Sequence, residues 1–248
     1  MITNAQSGTC VDEVAPSIYR ISTPVKEFPG GFSFNQYLIK DEEPLLFHSG
    51  PRRMSPLVRE AIAAVMPVER LRWVGLSHVE SDECGGLNDL LAVAPEAQPL
   101  CSRVAAMVSV DDLADRPSRP LADGEVLSLG KTRVRWLDAP HLPHGWDCGY
   151  LFEETTGTLL CGDLFTQPGA DNPPITEGDI LGPSEAMREG MDYFAHSTGN
   201  RALFEKLADT QPRTLACMHG SAWSGDCKGL LLELADAVNN GHAVARAS

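Results

Sequence analysis

A dense group of metal-binding side-chain types follows the apolar run at residues 71–77. The segment His78-Val79-Glu80-Ser81-Asp82-Glu83 combines one imidazole with three carboxylates, and Gly85-Gly86 come shortly after it. Side chains two residues apart point the same way in an extended chain, so His78, Glu80 and Asp82 would converge on one side if the strand continues. A helix opening near Gly85 would favour the acidic side chains at its positive end. The segment therefore has the composition of a cation site.

A purely structural interpretation of this segment must also be considered, in which the acids cap a helix beside a core histidine. Three later segments favour metal binding instead, because each places ligand-type residues at the end of an apolar, strand-like run. They supply His141 and His144, then Asp163, and finally His219. Since α/β folds place working residues at strand ends beside loops, we expect these side chains to meet in one metal site.

The elements that must position these residues alternate between strand-like and helical patterns. Strands are predicted at 17–22, 35–40, 44–48, 71–77, 134–139, 149–154, 158–162 and 214–219, and helices at 56–66, 86–94, 184–195, 200–209 and 228–240. This order predicts a layered α/β domain. The Pro- and Gly-rich stretch 165–183 is expected to be a loop that covers a functional site or is disordered. No break in composition suggests a linker, so the sequence predicts one domain over 1–248.

Composition excludes several classes of protein. The formal net charge of −14 over 248 residues disfavours nucleic acid and anionic membrane surfaces as partners. The first residues lack the pattern of a secretory signal, and no apolar run approaches the roughly 20 residues that span a bilayer, so we expect a cytoplasmic protein. Seven cysteines without a C-x-x-C pair argue against a disulfide framework or a zinc ribbon.

Taken in order, these motifs resemble those of the metallo-β-lactamase fold superfamily, whose usual signature is His-x-His-x-Asp-His followed by a distal His, an Asp and a final His. The Glu at position 80, with "HGWDCGY", "LLCGDLF" and "HGSAW" after it, is most similar to the di-iron domain of flavodiiron proteins and of stand-alone oxygen-binding di-iron proteins. The resemblance runs from Tyr19 to Trp223. It implies a four-layer αββα sandwich, here without a flavodoxin-like domain or a flavin of its own.

The resemblance also implies a ligand set for two metal ions. One ion would be bound by His78, Glu80 and His144, the other by Asp82 and His219, with Asp163 bridging them. The spacing to Asp163 favours His144 over His141, which is then expected beside the ligands. Carboxylate-rich shells suit iron, with manganese and zinc as alternatives, since zinc favours His and Cys. No catalytic side chain beyond the metal ligands is expected.

Two positions depart from the pattern. The superfamily usually has a histidine after the motif Asp, a ligand of the second metal, where this chain has Glu83; it could bind metal or turn outward. His48 replaces an acid that normally supports the site, and we expect it behind the ligands. Aromatic residues close to the ligands in sequence either pack the core or wall a dry pocket; they are Trp146, Tyr150, Phe165 and Trp223.

The resulting functional hypothesis is a di-iron protein of oxidoreductase type that binds or reduces O2 or NO. Electrons would come from an external flavin or iron–sulfur donor, and the chain is expected to form a homo-oligomer. One alternative is a metallo-hydrolase that directs a metal-activated water at a small-molecule substrate, although Glu80 disfavours it. The other is a non-catalytic oxygen sensor or carrier with the same site. The sequence does not separate reductase from sensor, since both need the same ligands.

Overall fold

Two β-sheets packed face to face form the centre of the molecule. The computed structural model describes the backbone of residues 1–245 and the side chains of residues 1–239. None of the helices in this described part combines the length and the apolar character needed to cross a membrane.

The first sheet runs in simple chain order, and its strands are antiparallel up to β5 and parallel from β5 to β8. Its strands are β1 (Ile2–Asn4), β2 (Thr9–Ala15), β3 (Ile18–Val25), β4 (Phe32–Ile39), β5 (Leu45–Phe47), β6 (Trp73–Gly75), β7 (Gln98–Ser102) and β8 (Arg119–Leu121).

The second sheet has the order β13-β15-β14-β12-β11-β10-β9. Its strands are β9 (Val126–Ser128), β10 (Arg133–Asp138), β11 (Gly149–Glu153), β12 (Thr158–Gly162), β13 (Ile175–Thr176), β14 (Thr214–Cys217) and β15 (Ala222–Ser224). Strands β12 and β14 are parallel, with Gly162 opposite Cys217. Their carboxyl ends therefore lie at the same edge, and this edge carries Asp163 and His219.

Helices cover the outer face of both sheets. They are α1 (Ser55–Ala63), α2 (Ser81–Cys84), α3 (Leu87–Leu91), α4 (Arg103–Ala105), α5 (Asp111–Leu113), α6 (Leu181–Met191), α7 (Asn200–Ala208) and α8 (Cys227–Ala245), with a π-helical turn at Ala106–Val110 and 3-10 turns at Arg52–Met54 and Val68–Arg70.

Three apolar layers hold this arrangement together. Residues such as Phe47, Trp136 and Leu160 fill the space between the sheets. A second cluster joins the first sheet to α1 and α3, and a third joins the second sheet to α7 and α8. Each large side chain that is fully buried contributes roughly 1.5 to 3 kcal/mol. The predicted four-layer αββα sandwich is confirmed, and it gives the strand ends a rigid base.

Some local predictions differ from the structure. The predicted helix over 184–195 begins earlier, at Leu181, and ends at Met191, because Asp192 adopts a left-handed conformation with φ of 51°. The predicted strand over 71–77 is paired only at Trp73–Gly75. The predicted loop over 165–183 contains the short strand β13 and the start of α6. All seven cysteines are free, as expected.

Candidate metal centre

The acidic segment bends sharply rather than continuing as a strand. Glu80 is extended, with φ of −141° and ψ of 165°, and α2 begins directly after it. The bend still brings Glu80 Oε2 within 3.3 Å of His78 Nε2. Asp147 supports the segment from the side, since its Oδ2 accepts a hydrogen bond of 3.0 Å from the Val79 backbone N–H. The convergence expected of an extended strand is thus achieved by a turn into a short helix.

Asp163 lies between two groups of ligand-type atoms. Its Oδ2 is 3.6 Å from the Nε2 atoms of both His78 and His144, whereas its Oδ1 is 3.3 Å from His219 Nε2. The preceding Gly162 has φ of 51°, and an added Cβ there would lie 3.1 Å from Tyr150. A glycine at this position lets the chain turn immediately after β12.

The remaining ligand-type residues divide between the two sides of Asp163. Glu80 Oε2 lies 3.0 Å from His144 Nε2, and Asp82 Oδ2 lies 3.5 Å from His219 Nε2. This division matches the two ligand sets that the resemblance implies. The seven residues His78, Glu80, Asp82, Glu83, His144, Asp163 and His219 are called the cluster below. That they bind metal stays a prediction.

The electrostatics of the cluster indicate a missing positive charge. In the described part of the chain, its four carboxylates form ion pairs only with histidines and with no lysine or arginine. Burial and the nearby Asp163 and Asp82 raise the pKa of Glu83 well above its ordinary value. Burial also tends to raise the pKa of Asp163, but contacts with His219, His78 and His144 outweigh it and lower that pKa to about 2. Bound cations would compensate this charge.

Two of the histidines are held with Nε2 directed into the cluster. His144 Nδ1 lies 3.0 Å from the Tyr193 carbonyl oxygen, and His219 Nδ1 lies 2.8 Å from the Ser33 carbonyl oxygen. Because a carbonyl only accepts, Nδ1 donates each of these bonds, and Nε2 is the ring nitrogen that faces the cluster. This is the usual orientation of metal-binding histidines.

The third histidine is held through a hydroxyl group. Ser77 Oγ lies 3.0 Å from His78 Nδ1 and 3.0 Å from His48 Nε2, so it connects the two rings. His48 is buried, and burial lowers its pKa to about 3, so the ring is neutral. His48 therefore lies directly behind His78 of the cluster.

His141 lies outside the cluster, and this gives a direct test of the two histidines. It is exposed and borders a surface depression formed with Ala195, His196, Ser197 and Thr198.

We expect His144→Ala to remove about one metal ion per chain, because His144 Nε2 faces Glu80 and Asp163. His141→Ala is the matched control and should leave the metal content unchanged. Elemental analysis of both variants checks this, and equal losses in the two would contradict the assignment.

A cavity of about 260 Å³ opens onto the cluster. Its apolar wall consists of side chains that the sequence did not single out: Phe32, Phe34, Met187, Met191 and Tyr193. Phe32 stacks on the His219 ring at a centroid distance of 4.4 Å. The alternation of Phe32 and Phe34 on β4 was the available signal, since residues two apart share a strand face.

The aromatic residues suggested from the sequence do not line this cavity. Tyr150 and Phe165 are buried in the core of the second sheet, and Trp223 packs at its margin, where its indole N–H donates to the Gly178 carbonyl oxygen. Trp146 is 59% exposed. Sequence proximity to the cluster residues was a poor guide to the pocket wall.

Polar side chains of the first sheet fix the backbone around His219. Arg20 Nη2 and Asn35 Nδ2 donate to the Gly220 carbonyl oxygen at 2.7 and 2.8 Å, and Tyr37 Oη donates to the Cys217 carbonyl oxygen at 2.8 Å. These bonds cross between the two sheets. They hold the His219 end of the cluster against the first sheet. The residue pattern of a single strand does not reveal such contacts between sheets.

Comparison with known proteins places the chain in a family. A family model described as "ODP family beta lactamase" matches residues 32–220. The chain belongs to this family. The metal-soaked Flv1 flavodiiron core from Synechocystis sp. PCC6803 has the same fold, with a TM-score of 0.81 at 18% identity over 93% of this chain and 61% of that one.

Two relatives of this ODP-family chain carry functional names. It is 26% identical to the nitric oxide reductase of Moorella thermoacetica, over 79% of this chain and 51% of that protein. It is 28% identical to the rubredoxin-oxygen oxidoreductase of Megalodesulfovibrio gigas, over 68% of this chain and 42% of that protein. The chain spans between 26 and 51% of the length of the first curated relatives that it matches.

Proposed function

We propose that this chain binds two iron ions in the cluster and binds or reduces O2 or NO with electrons from a separate donor. The observation that carries the proposal is the position of Asp163, whose two oxygens face two different sets of ligand atoms. The names of the two relatives support NO and O2 as the small ligands. The mixture of imidazole and carboxylate supports iron before manganese or zinc.

Different side chains would bind the two ions of such a site. His78, Glu80 and His144 would hold one ion, Asp82 and His219 the other, and Asp163 both. Iron bound there supplies the redox chemistry, and the protein fixes geometry and access.

Access to the cluster is controlled by the cavity wall. Phe32 stacks on the His219 ring, and Met187 and Met191 line the cavity. This apolar wall suits a small uncharged ligand. An external flavin or iron–sulfur protein that docks transiently would supply the electrons. Association of the chain into a homo-oligomer and its location in the cytoplasm stay predictions of the sequence.

Anaerobic loading with Fe(II) tests this function. We expect two irons per chain by elemental analysis, and a new visible absorption band when O2 or NO is admitted to the loaded protein. Continuous O2 or NO consumption with a reduced flavin or iron–sulfur donor would identify a reductase, and stoichiometric uptake without turnover would identify a sensor or carrier. Zinc-dependent ester hydrolysis without iron uptake would contradict the proposal and favour the hydrolase.

A further inference from the structure

Glu83 is a buried acid that pairs with no lysine or arginine in the described part of the chain. Its side chain is 1% exposed, and neither carboxylate oxygen has a hydrogen-bond partner among the residues that the structure describes. The backbone carbonyl of the same residue is bonded, since it accepts from the Ser49 backbone N–H at 2.7 Å. The Glu83 backbone carbonyl is thus hydrogen-bonded, whereas its carboxylate is not. An ionised carboxylate in such a place is costly unless a cation compensates it.

The Glu83 carboxylate lies close to one side of the cluster. Its Oε1 is 3.9 Å from His78 Nε2, which in turn lies 3.3 Å from Glu80 Oε2. One ligand atom from each of these three residues lies within 4.8 Å of the other two. Two ligand atoms that each lie about 2.1 Å from one ion are roughly 3 to 4 Å apart. Glu83 is therefore placed to share an ion with His78 and Glu80, whereas the sequence resemblance points to the other ion.

The charges of the cluster add a second argument. Glu80, Asp82, Glu83 and Asp163 carry four negative charges when ionised, and the three histidines are neutral when they offer Nε2 to a metal. Two divalent ions carry four positive charges and would balance this set. A histidine at position 83, the residue usual in the superfamily, would leave one positive charge uncompensated.

We infer that Glu83 is a metal ligand that shifts the selectivity of the cluster from zinc towards iron and manganese. The inference rests on the two-metal site of the proposed function. It adds that Glu83 determines which metal this site prefers. Carboxylate oxygen is a harder ligand than imidazole nitrogen, and hard ligands suit iron and manganese better than zinc. The position that departs from the usual signature thus tunes which metal the chain retains.

Competition between two metals tests this role. The metal-free protein is dialysed anaerobically against equal concentrations of Fe(II) and Zn(II), and both metals are counted per chain. Wild type is compared with Glu83→His, which restores the usual residue, and with Glu83→Gln, which removes only the charge. We expect the iron-to-zinc ratio to fall about tenfold in Glu83→His relative to wild type, with Glu83→Gln between them.

Controls separate this inference from the proposed function. Glu96→Gln, on the exposed surface, should leave the ratio unchanged, and circular dichroism should show that each variant is folded. Glu83→Asp keeps the charge and provides a conservative second variant, whose ratio should stay closer to that of wild type. An unchanged ratio in Glu83→His and Glu83→Gln, with two irons in wild type, would overturn the inference alone. Failure of the wild type to bind iron would overturn the proposed function as well.

Discussion

Replacing Asp163 by Asn is expected to reduce the metal content of the chain from two ions to one or none. Each oxygen of Asp163 faces a different set of ligand atoms, with Oδ2 near His78 and His144 and Oδ1 near His219. Asn offers one oxygen and no charge, so one side of the cluster loses its ligand and both lose electrostatic support. Since even indirect partners of a metal site are worth about 10- to 100-fold in affinity, we expect at least that loss.

Elemental analysis and thermal unfolding with and without Fe(II) measure the effect of Asp163→Asn. A ligand that binds only the folded state stabilises it by about 2.7 kcal/mol at 100 times its dissociation constant, so wild type should gain several degrees in Tm from Fe(II). The variant should lose most of this gain. Asp171→Asn, an exposed acid on the loop that follows β12, is the control and should behave as wild type. Two tightly bound ions in Asp163→Asn would show that Asp163 is not shared.

The sequence predicted the parts of the fold whose patterns are long or fully apolar. Strands such as β11 and β12 and helices such as α7 and α8 are buried on the faces that their patterns indicate. The strands at the margins were missed, among them β1, β2, β8 and β9. Strand β8 contains Pro120, which is tolerated there because it lies at the sheet edge. Edge strands form because a neighbouring strand pairs with them. The local residue pattern says little about which strands will pair.

The sequence indicated some parts of the candidate site and not others. Asp163 and His219 were predicted to lie close together because each follows an apolar strand, and the parallel pairing of β12 and β14 brings these strand ends together. The cavity wall was not found, because Phe32 and Met187 belong to segments that approach the cluster only in the folded protein. The orientation of Glu83 was also open, since an outward and an inward direction are both compatible with the spacing. The turn into α2 decides it.

Glu83→Gln is expected to stabilise the metal-free protein at neutral and alkaline pH. Burial, together with Asp163 and Asp82, raises the pKa of Glu83 in the folded state well above the ordinary value of 4.5. A raised pKa means that ionisation opposes folding, so the wild type loses stability as the pH rises from the ordinary pKa through the raised one. Gln has no such penalty. The gain should reach about 1 to 3 kcal/mol, or roughly 2 to 10 °C in Tm, at high pH and vanish near pH 4.

Thermal unfolding of the metal-free proteins across this pH range, followed by the same measurement with Fe(II), provides the decisive comparison. With metal present the sign should reverse, because the wild-type carboxylate then faces a cation with its negative charge, whereas the amide brings no charge. Glu96→Gln should show neither effect. If the Glu83 carboxylate had only a packing role, Glu83→Gln would change the stability in the same direction with and without Fe(II). That outcome would contradict a role of Glu83 in metal binding. The reversal follows from one fact about the fold, that it buries the Glu83 carboxylate with no lysine or arginine paired to it among the described residues.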